Sequence, residues 1–269
     1  MNNYHPALRA PLLKRRGIRD SALFHLHIYT FSHYHIYTLN TIFTFLSGLI
    51  ANNNREWFQA HRAEYDEAWG EFNSFIEQLI AEMGKFDASL SFLTPKDCTY
   101  RIYRDLRFSP DKTPYKGHFG AYINADGKKA YYGGYYVQLE PHEVILASGV
   151  WWLPTAEMRA LRQAIVDQVD AYAAIVEEPQ FKAICPTIGM EHFKRLPNGI
   201  PKDFPHPEYV MCKNYTCCCS MTPDDFLKMS VSDIAEKFHL MKPFNDFLKE
   251  NILINFEEME GMKDVVKFV

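Results

Sequence analysis

The pattern that most constrains the fold is an apolar stripe between residues 58 and 83. It consists of Phe58, Tyr65, Trp69, Phe72, Ile76, Leu79 and Met83. Their spacings of seven, four, three, four, three and four residues place them on one face of an α-helix, and such a face must be buried against another layer. The sequence therefore predicts a long amphipathic helix that ends at Gly84, with one of the preceding asparagines as its N-cap.

Three later segments read as an antiparallel β-meander. They are residues 119–124, 130–140 and 144–152, with turns at Asp126-Gly127 and Pro141-His142-Glu143 between them. Gly133 and Gly134 predict a bulge or a close approach of the backbone to another group. The paired tyrosines and tryptophans of these strands form either a packed aromatic ladder or the wall of a groove.

These elements predict an α+β fold in which an antiparallel β-meander packs against long amphipathic helices. A second helical stripe follows Pro154, a last short strand is expected at residues 215–221, and a final helical region is expected to be interrupted near Pro243. We predict a single α+β domain over residues 39–255. Residues 1–38 are expected to be a poorly ordered N-terminal extension, and residues 256–269 a C-terminal tail.

Composition excludes several classes of protein. Three of the six cysteines are adjacent, which does not fit a disulfide framework and favours reduced thiols in a cytoplasmic protein. The net charge of −4 does not favour a nucleic-acid partner, although a local basic face keeps that alternative open. Because the chain contains no long apolar run, we expect no membrane partner. The sequence predicts no metal site and identifies neither a cofactor nor an oligomeric state.

The most chemically biased stretch is residues 101–116. Its five cations are Arg101, Arg104, Arg107, Lys112 and Lys116, opposed only by Asp105 and Asp111. Residues 99–108 are predicted to form a strand whose alternation puts Arg104 on the apolar face. Two roles for Arg104 remain open at this point: a salt bridge inside the core, or a guanidinium that lines a pocket.

This bias predicts a binding site for a phosphate-bearing or carboxylate-bearing small molecule. The five cations would hold the anion through charge-assisted hydrogen bonds. If the ligand were a nucleotide or a single strand, Tyr103, Tyr115 and Tyr135 would stack on its bases.

Two other classes of function remain as alternatives. In the first, the chain is an enzyme that acts on an anionic substrate, with His118 beside the basic loop as the general acid or base. In the second, it is a structural or interaction module whose arginines pair with acids such as Glu140 or Asp105.

Three motifs carry a resemblance to a known family. They are the residues 53–58, Asn-Asn-Arg-Glu-Trp-Phe, the basic stretch 101–116, and residues 134–141, Gly-Tyr-Tyr-Val-Gln-Leu-Glu-Pro. In this order they resemble the domain-of-unknown-function family 2461, over about residues 41–251, and residues 196–201 look like a later loop motif of that family. The resemblance implies a compact α+β domain. It implies no established activity, substrate or catalytic residue.

Overall fold

The helical layer begins with the predicted apolar stripe. A computed structural model describes residues 39–107 and 109–266 of the chain, with side chains up to residue 253. The predicted N-terminal extension, residues 1–38, lies outside the described residues. The first helices are α1 (Asn40–Ala51), α2 (Arg55–Ala60) and α3 (Arg62–Met83). The predicted long helix is therefore divided at His61, whose φ of −106° and ψ of 27° leave the helical region.

The predicted asparagine N-cap and the predicted buried face of these helices are confirmed. The side chain of Asn54 caps α2 by accepting a hydrogen bond from the Trp57 N–H, at 2.9 Å. All the stripe residues are buried except Trp69, which is partly buried. Each fully buried phenylalanine of this face contributes roughly 2 kcal/mol of transfer free energy.

The meander forms a four-stranded antiparallel sheet. Its strands are β1 (Phe119–Ile123), β2 (Tyr135–Leu139), β3 (Val144–Val150) and β4 (Tyr215–Met221), in the order β1-β2-β3-β4. The register places Ala121 opposite Val137, Val137 opposite Leu146, and Leu146 opposite Cys219. These four residues are buried, so they mark the core face of the sheet. The α+β fold with a β-meander is confirmed.

The predicted close approach at the paired glycines is also confirmed. A Cβ atom on Gly134 would lie 2.6 Å from the Cζ of Tyr122, whose ring covers this backbone. Any side chain at this position would therefore collide with the ring. β1 and β2 are joined by eleven residues rather than by a tight turn at Asp126-Gly127, because β2 begins only at Tyr135.

The remaining helices surround one face of the sheet. They are α4 (Pro95–Cys98), α5 (Thr155–Asp167), α6 (Val169–Val176), α7 (Pro179–Ile184), α8 (Pro207–Val210), α9 (Pro223–Leu227) and α10 (Val231–Val266). Residues 94–97 form a single helical turn with a capping box. Gln168 separates α5 from α6, which were predicted as one helix. All six cysteines are free thiols.

The last helix differs from its prediction. We expected an interruption near Pro243, but α10 continues through this proline and through residue 256, where the tail was expected to begin. The neighbouring side chains explain the continuity, because Met241, Phe244 and Leu248 are fully buried and hold both sides of the proline in the core. α10 packs on α3, α5 and β3.

As a result the sheet has one covered face and one open face. Alternate residues of β2 show this, since Tyr135, Val137 and Leu139 are buried while Tyr136 and Gln138 are partly exposed on the other side. The open face is where the candidate site lies.

Candidate functional site

The basic stretch at residues 101–116 is an irregular hairpin at the edge of the sheet. The predicted strand over residues 99–108 is wrong, because its described part, residues 99–107, forms only two isolated bridges, Thr99 with Ala121 and Tyr103 with Tyr115. Beyond Arg104, whose N–H bonds to the Pro114 carbonyl, the backbone turns away from this pairing. Pro110 and Pro114 each lack an N–H, so they cannot donate to a continuing ladder.

Arg104 binds its own loop. Its guanidinium donates to Asp111 and to the Thr113 hydroxyl through Nη1, and to the Ser109 hydroxyl through Nη2 at 3.2 Å. Its side chain is 25% exposed. The salt bridge with Asp111 therefore lies outside the core, and the guanidinium donors contact groups of the same loop. The hydrogen bond from Arg104 lowers the pKa of Asp111 to about 2.

Two further cations of the stretch are also engaged within it. Arg107 forms an exposed ion pair with Asp105, at 2.6 Å between Nη2 and Oδ2, and this hydrogen bond lowers the pKa of Asp105 to about 2. The Lys112 Nζ donates to the Leu106 carbonyl at 3.1 Å. These contacts give Arg104, Arg107 and Lys112 a role in closing the loop.

Arg101 and Lys116 are placed differently. The Lys116 Nζ lies over the ring of Tyr100, 5.4 Å from its centroid. Burial, and then the nearby positive charge of Arg101, lower the pKa of Lys116. Arg101 is exposed. Lys116 forms no ion pair with any carboxylate in the described part of the chain.

The three predicted stacking tyrosines lie mostly in the core. Tyr115 stacks on Phe58 with ring centroids 4.1 Å apart and is buried. Tyr135 points to the covered face of β2, where its ring meets Phe238 at 5.5 Å. Tyr103 is 43% exposed and leans on Tyr115. Tyr115 and Tyr135 therefore present no open ring surface to a base, because strand parity and the contact with α2 bury both.

His118 lies just before β1, on the open side of the sheet. Its Nδ1 is 3.9 Å from the Glu140 Oε1, too long for a hydrogen bond. Burial, and then the charge of Lys116, lower the pKa of His118 to about 4, so the imidazole is neutral near pH 7. Glu140 in turn ends a hydrogen-bonded row along β2, in which Tyr136 donates to Gln138 at 2.6 Å and Gln138 donates to Glu140.

The open face of the sheet forms a groove with a cavity volume of ≈ 650 Å³. Small residues of β3 and β4 make its floor, among them Ala147, Gly149 and Cys218. Bulky rings and one thioether make its rim: Tyr100, Tyr122, Tyr136, Trp151, Trp152 and Met190. We call this surface the aromatic groove. Because Lys116 lies over Tyr100, the aromatic groove and the cations Lys116 and Arg101 adjoin one another.

The rim tyrosines are held in place by their hydroxyl groups. The Tyr122 hydroxyl donates to the Gly133 carbonyl at 2.7 Å, and the Tyr136 hydroxyl donates to Gln138. Tyr131, also at the groove, donates to Glu157 at 3.2 Å. The rings are therefore fixed before any ligand arrives.

A comparison with known protein families finds a match over most of the chain. A family model described as "Conserved hypothetical protein (DUF2461)" matches residues 41–247. The chain belongs to this family. The DUF2461 match contains the whole sheet, the basic stretch and every residue named for the aromatic groove, and it confirms the resemblance drawn from three motifs. No curated protein and no solved structure matches the chain.

A metal-binding cluster and a membrane-spanning helix are both absent from the described part of this DUF2461 chain. Among the described residues, no group of three or more His, Cys, Asp or Glu side chains is placed to hold a metal ion. Within the same part of the chain, no helix combines the length and apolarity needed to cross a bilayer.

Sequence reasoning missed most of the groove. It noted that paired tyrosines and tryptophans on neighbouring strands form either a ladder or a groove wall, but apart from His118 it named no residue of the open face as a site. The available signal was the run of small side chains at alternate positions of two adjacent strands, Ala147 and Gly149 in β3 with Thr216, Cys218 and Ser220 in β4. Such a run leaves one face of a strand pair without bulky side chains.

Proposed function

We propose that the chain binds a small molecule bearing a phosphate or carboxylate group, which Lys116 and Arg101 hold beside Tyr100. The observation that carries the proposal is the environment of Lys116. This lysine is partly buried next to a second cation, and it has no carboxylate partner among the described residues. Two neighbouring cations raise each other's energy, and a bound anion would relieve that repulsion.

The chemistry of the two side chains suits an oxyanion. The guanidinium of Arg101 has a planar donor fork that matches two oxygens of a carboxylate or phosphate, and the ammonium of Lys116 adds a compact charge. The partly buried position of Lys116 strengthens its attraction for the anion relative to an exposed lysine. Six free thiols support placing this binding protein in the cytoplasm.

Of the five cations predicted to bind the anion, the proposal keeps two, Arg101 and Lys116. Arg104, Arg107 and Lys112 act as loop supports, since their donors already contact groups of the same loop. These contacts within the loop are of the kind expected for a structural module, in which the arginines pair with acids of the same chain. Arg104 also positions Lys116 indirectly, because its N–H bonds to the Pro114 carbonyl two residues before that lysine.

The test is a thermal-shift and calorimetric titration with inorganic phosphate, phenyl phosphate and benzoate. We expect phosphate or benzoate probes to raise the Tm of the wild type, and Lys116→Met or Arg101→Met to weaken binding at least about tenfold. Arg107→Met and Lys112→Met are matched controls, because each removes one exposed charge from the same stretch without touching the site. Binding should weaken as salt is added, since Arg101 is exposed.

Two outcomes would contradict the proposal. One is that no probe stabilises the folded wild-type protein. The other is that the control variants lose as much affinity as Lys116→Met, which would show that only the overall charge of the stretch matters.

We propose an enzyme acting on the same anion as the second candidate function. It is favoured by the neutral imidazole of His118 next to Lys116, because the neutral form has a free lone pair that can act as a general base. His118 would take a proton from a water molecule as its oxygen attacks the phosphorus of a phosphate ester. The P–O bond to the alcohol would break, and the imidazolium would return the proton to the departing alkoxide, so that phosphate and the alcohol are released. Hydrolysis of p-nitrophenyl phosphate that disappears in His118→Gln, with phosphate binding retained, supports this candidate. The same rate in His118→Gln as in the wild type would refute it.

A further inference from the structure

We infer that the aromatic groove binds the planar aromatic body of the same small molecule whose anionic group lies at Lys116 and Arg101. The inference rests on the proposed function for the anionic end and adds the chemical class of the rest of the ligand. The ligand is then a flat ring system with one phosphate-like or carboxylate-like group. The supporting observations concern the floor, the walls, the size and the charge of the groove.

The floor of the aromatic groove consists of small residues on two adjacent strands. Ala147 lies opposite Cys218, and Gly149 lies opposite Thr216, so two adjacent strands carry small side chains over several positions. Gly149 has a φ of +106°, and a Cβ atom there would lie 2.2 Å from the Tyr215 carbonyl oxygen. This position therefore requires glycine. A flat, unobstructed floor suits a planar ring better than a branched aliphatic chain.

The walls present aromatic faces that are already ordered. Tyr122 and Tyr136 hold their rings through the hydroxyl contacts described above, so little conformational entropy is lost when a ligand stacks on them. Trp151 and Trp152, directly after β3, are 66% and 63% exposed. Two adjacent indoles exposed to this extent carry a large apolar surface that a stacked ligand would remove from water.

The volume of the groove fits a small molecule. Its ≈ 650 Å³ lies within the roughly 300–1,000 Å³ typical of small-molecule sites. A molecule of mononucleotide or fused-ring size fills such a space together with its anionic group.

Positive and negative side chains lie at different places along the groove. Lys128 lines it and donates to the Thr99 carbonyl at 2.9 Å, while Lys116 lies over the next residue, Tyr100. Positive charge is therefore gathered around Tyr100. Of the residues that line the groove, Glu143 is the acidic one, and it precedes β3. An anion is attracted to the Tyr100 end, which leaves the aromatic body over the floor formed by β3 and β4.

The experiment uses two fluorescent probes with closely related aromatic bodies. 8-Anilinonaphthalene-1-sulfonate carries an anionic group, and N-phenyl-1-naphthylamine is the same ring system without it. We expect the wild type to bind the anionic probe about tenfold more tightly than the neutral one. Cys218→Phe fills the floor, and the double variant Trp151→Ala with Trp152→Ala removes part of the rim. Each should weaken both probes about tenfold.

Two further variants separate this inference from the proposed function. Lys116→Met should weaken the anionic probe but leave the neutral probe unchanged. Phe92→Ala is the control for an aromatic group elsewhere on the surface, since Phe92 is 91% exposed, and it should change neither affinity. Near-ultraviolet circular dichroism and the Tm establish that each variant is folded.

The outcomes are distinguishable. Unchanged affinities in Cys218→Phe and in the double tryptophan variant would overturn the aromatic groove, while phosphate binding that depends on Lys116 would still stand. Equal binding of the two probes by the wild type would overturn the assignment of an anionic ligand class. Loss of both probes in the groove variants, with no effect of Lys116→Met on either the probes or phosphate, would instead overturn the proposed function alone.

Discussion

The pKa of His118 depends on the groups that surround this residue. A nearby carboxylate, Glu140, would by itself favour the charged imidazolium, yet the pKa of His118 falls to about 4. Burial on the open side of the sheet, followed by the charge of Lys116, outweighs the effect of the Glu140 carboxylate on the pKa. His118 is thus a neutral group next to a cation, and protonating it would place two positive charges side by side.

This environment predicts how stability depends on pH. The folded-state pKa of about 4 lies below the ordinary value of 6.5, so between these values the unfolded chain binds the proton more readily. Stability is therefore full above about pH 6.5 and is lost as the pH falls towards about 4. In urea unfolding, the free energy of the wild type should fall roughly 2 kcal/mol further than that of His118→Gln between about pH 7 and about pH 4.5.

His142→Gln is the control for this experiment, because His142 is an exposed histidine in the turn after β2. It should follow the wild type at every pH. A pH profile of His118→Gln that overlays the wild-type profile would show that the imidazole is not held neutral by its surroundings.

At the scale of elements, α10 is a helix that continues through a proline. The ring of Pro243 removes the N–H that would bond to the His239 carbonyl, and an interior proline costs a helix about 3 kcal/mol relative to alanine. The buried neighbours of Pro243 keep the helix continuous. Asn245, two residues later, also ties α10 to the sheet by accepting the Gly134 N–H at 2.7 Å.

Removing this proline should therefore stabilise the protein. Pro243→Ala restores a backbone donor at an exposed position, and the gain is reduced by the greater freedom of the unfolded chain. We expect the free energy of unfolding to rise by about 1–2 kcal/mol in urea titrations at neutral pH. Glu250→Ala, at another exposed position of α10, should stay within about 0.5 kcal/mol of the wild type. A Pro243→Ala protein less stable than the wild type would mean that the proline fits a distorted backbone.

Elements with a strong local signal were the ones that the sequence predicted well. The apolar stripe of α3, the Asn54 cap and the strand pattern of the meander each depend on neighbours in the chain. The stretch from Thr99 to Arg107 was predicted as a strand because its alternation and aromatic residues fit one. Its true form depends on Asp111, Thr113 and Pro114, which bind Arg104 from further along the chain.

The whole molecule explains why the candidate site was only partly predictable. The charged half of the site, Arg101 and Lys116, is visible as a cluster in the sequence. The aromatic groove is assembled from all four strands, the edge residue Tyr100 and the segment after β3. Which of its rings face the core and which face the groove depends on strand register. Tyr135 and Tyr136 are adjacent in the chain, yet the first belongs to the core and the second to the groove.

Helices cover only one face of the sheet, and this affects which amino-acid replacements the protein can accept. Because the core and the groove use alternate residues of the same strands, the residues that set stability and those that contact a ligand are separate sets. Under the proposed function, replacements at positions such as Ala147, Cys218 and Trp152 would change ligand preference while the hidden side of the sheet stays constant. A single scaffold of this design could then serve many different small molecules.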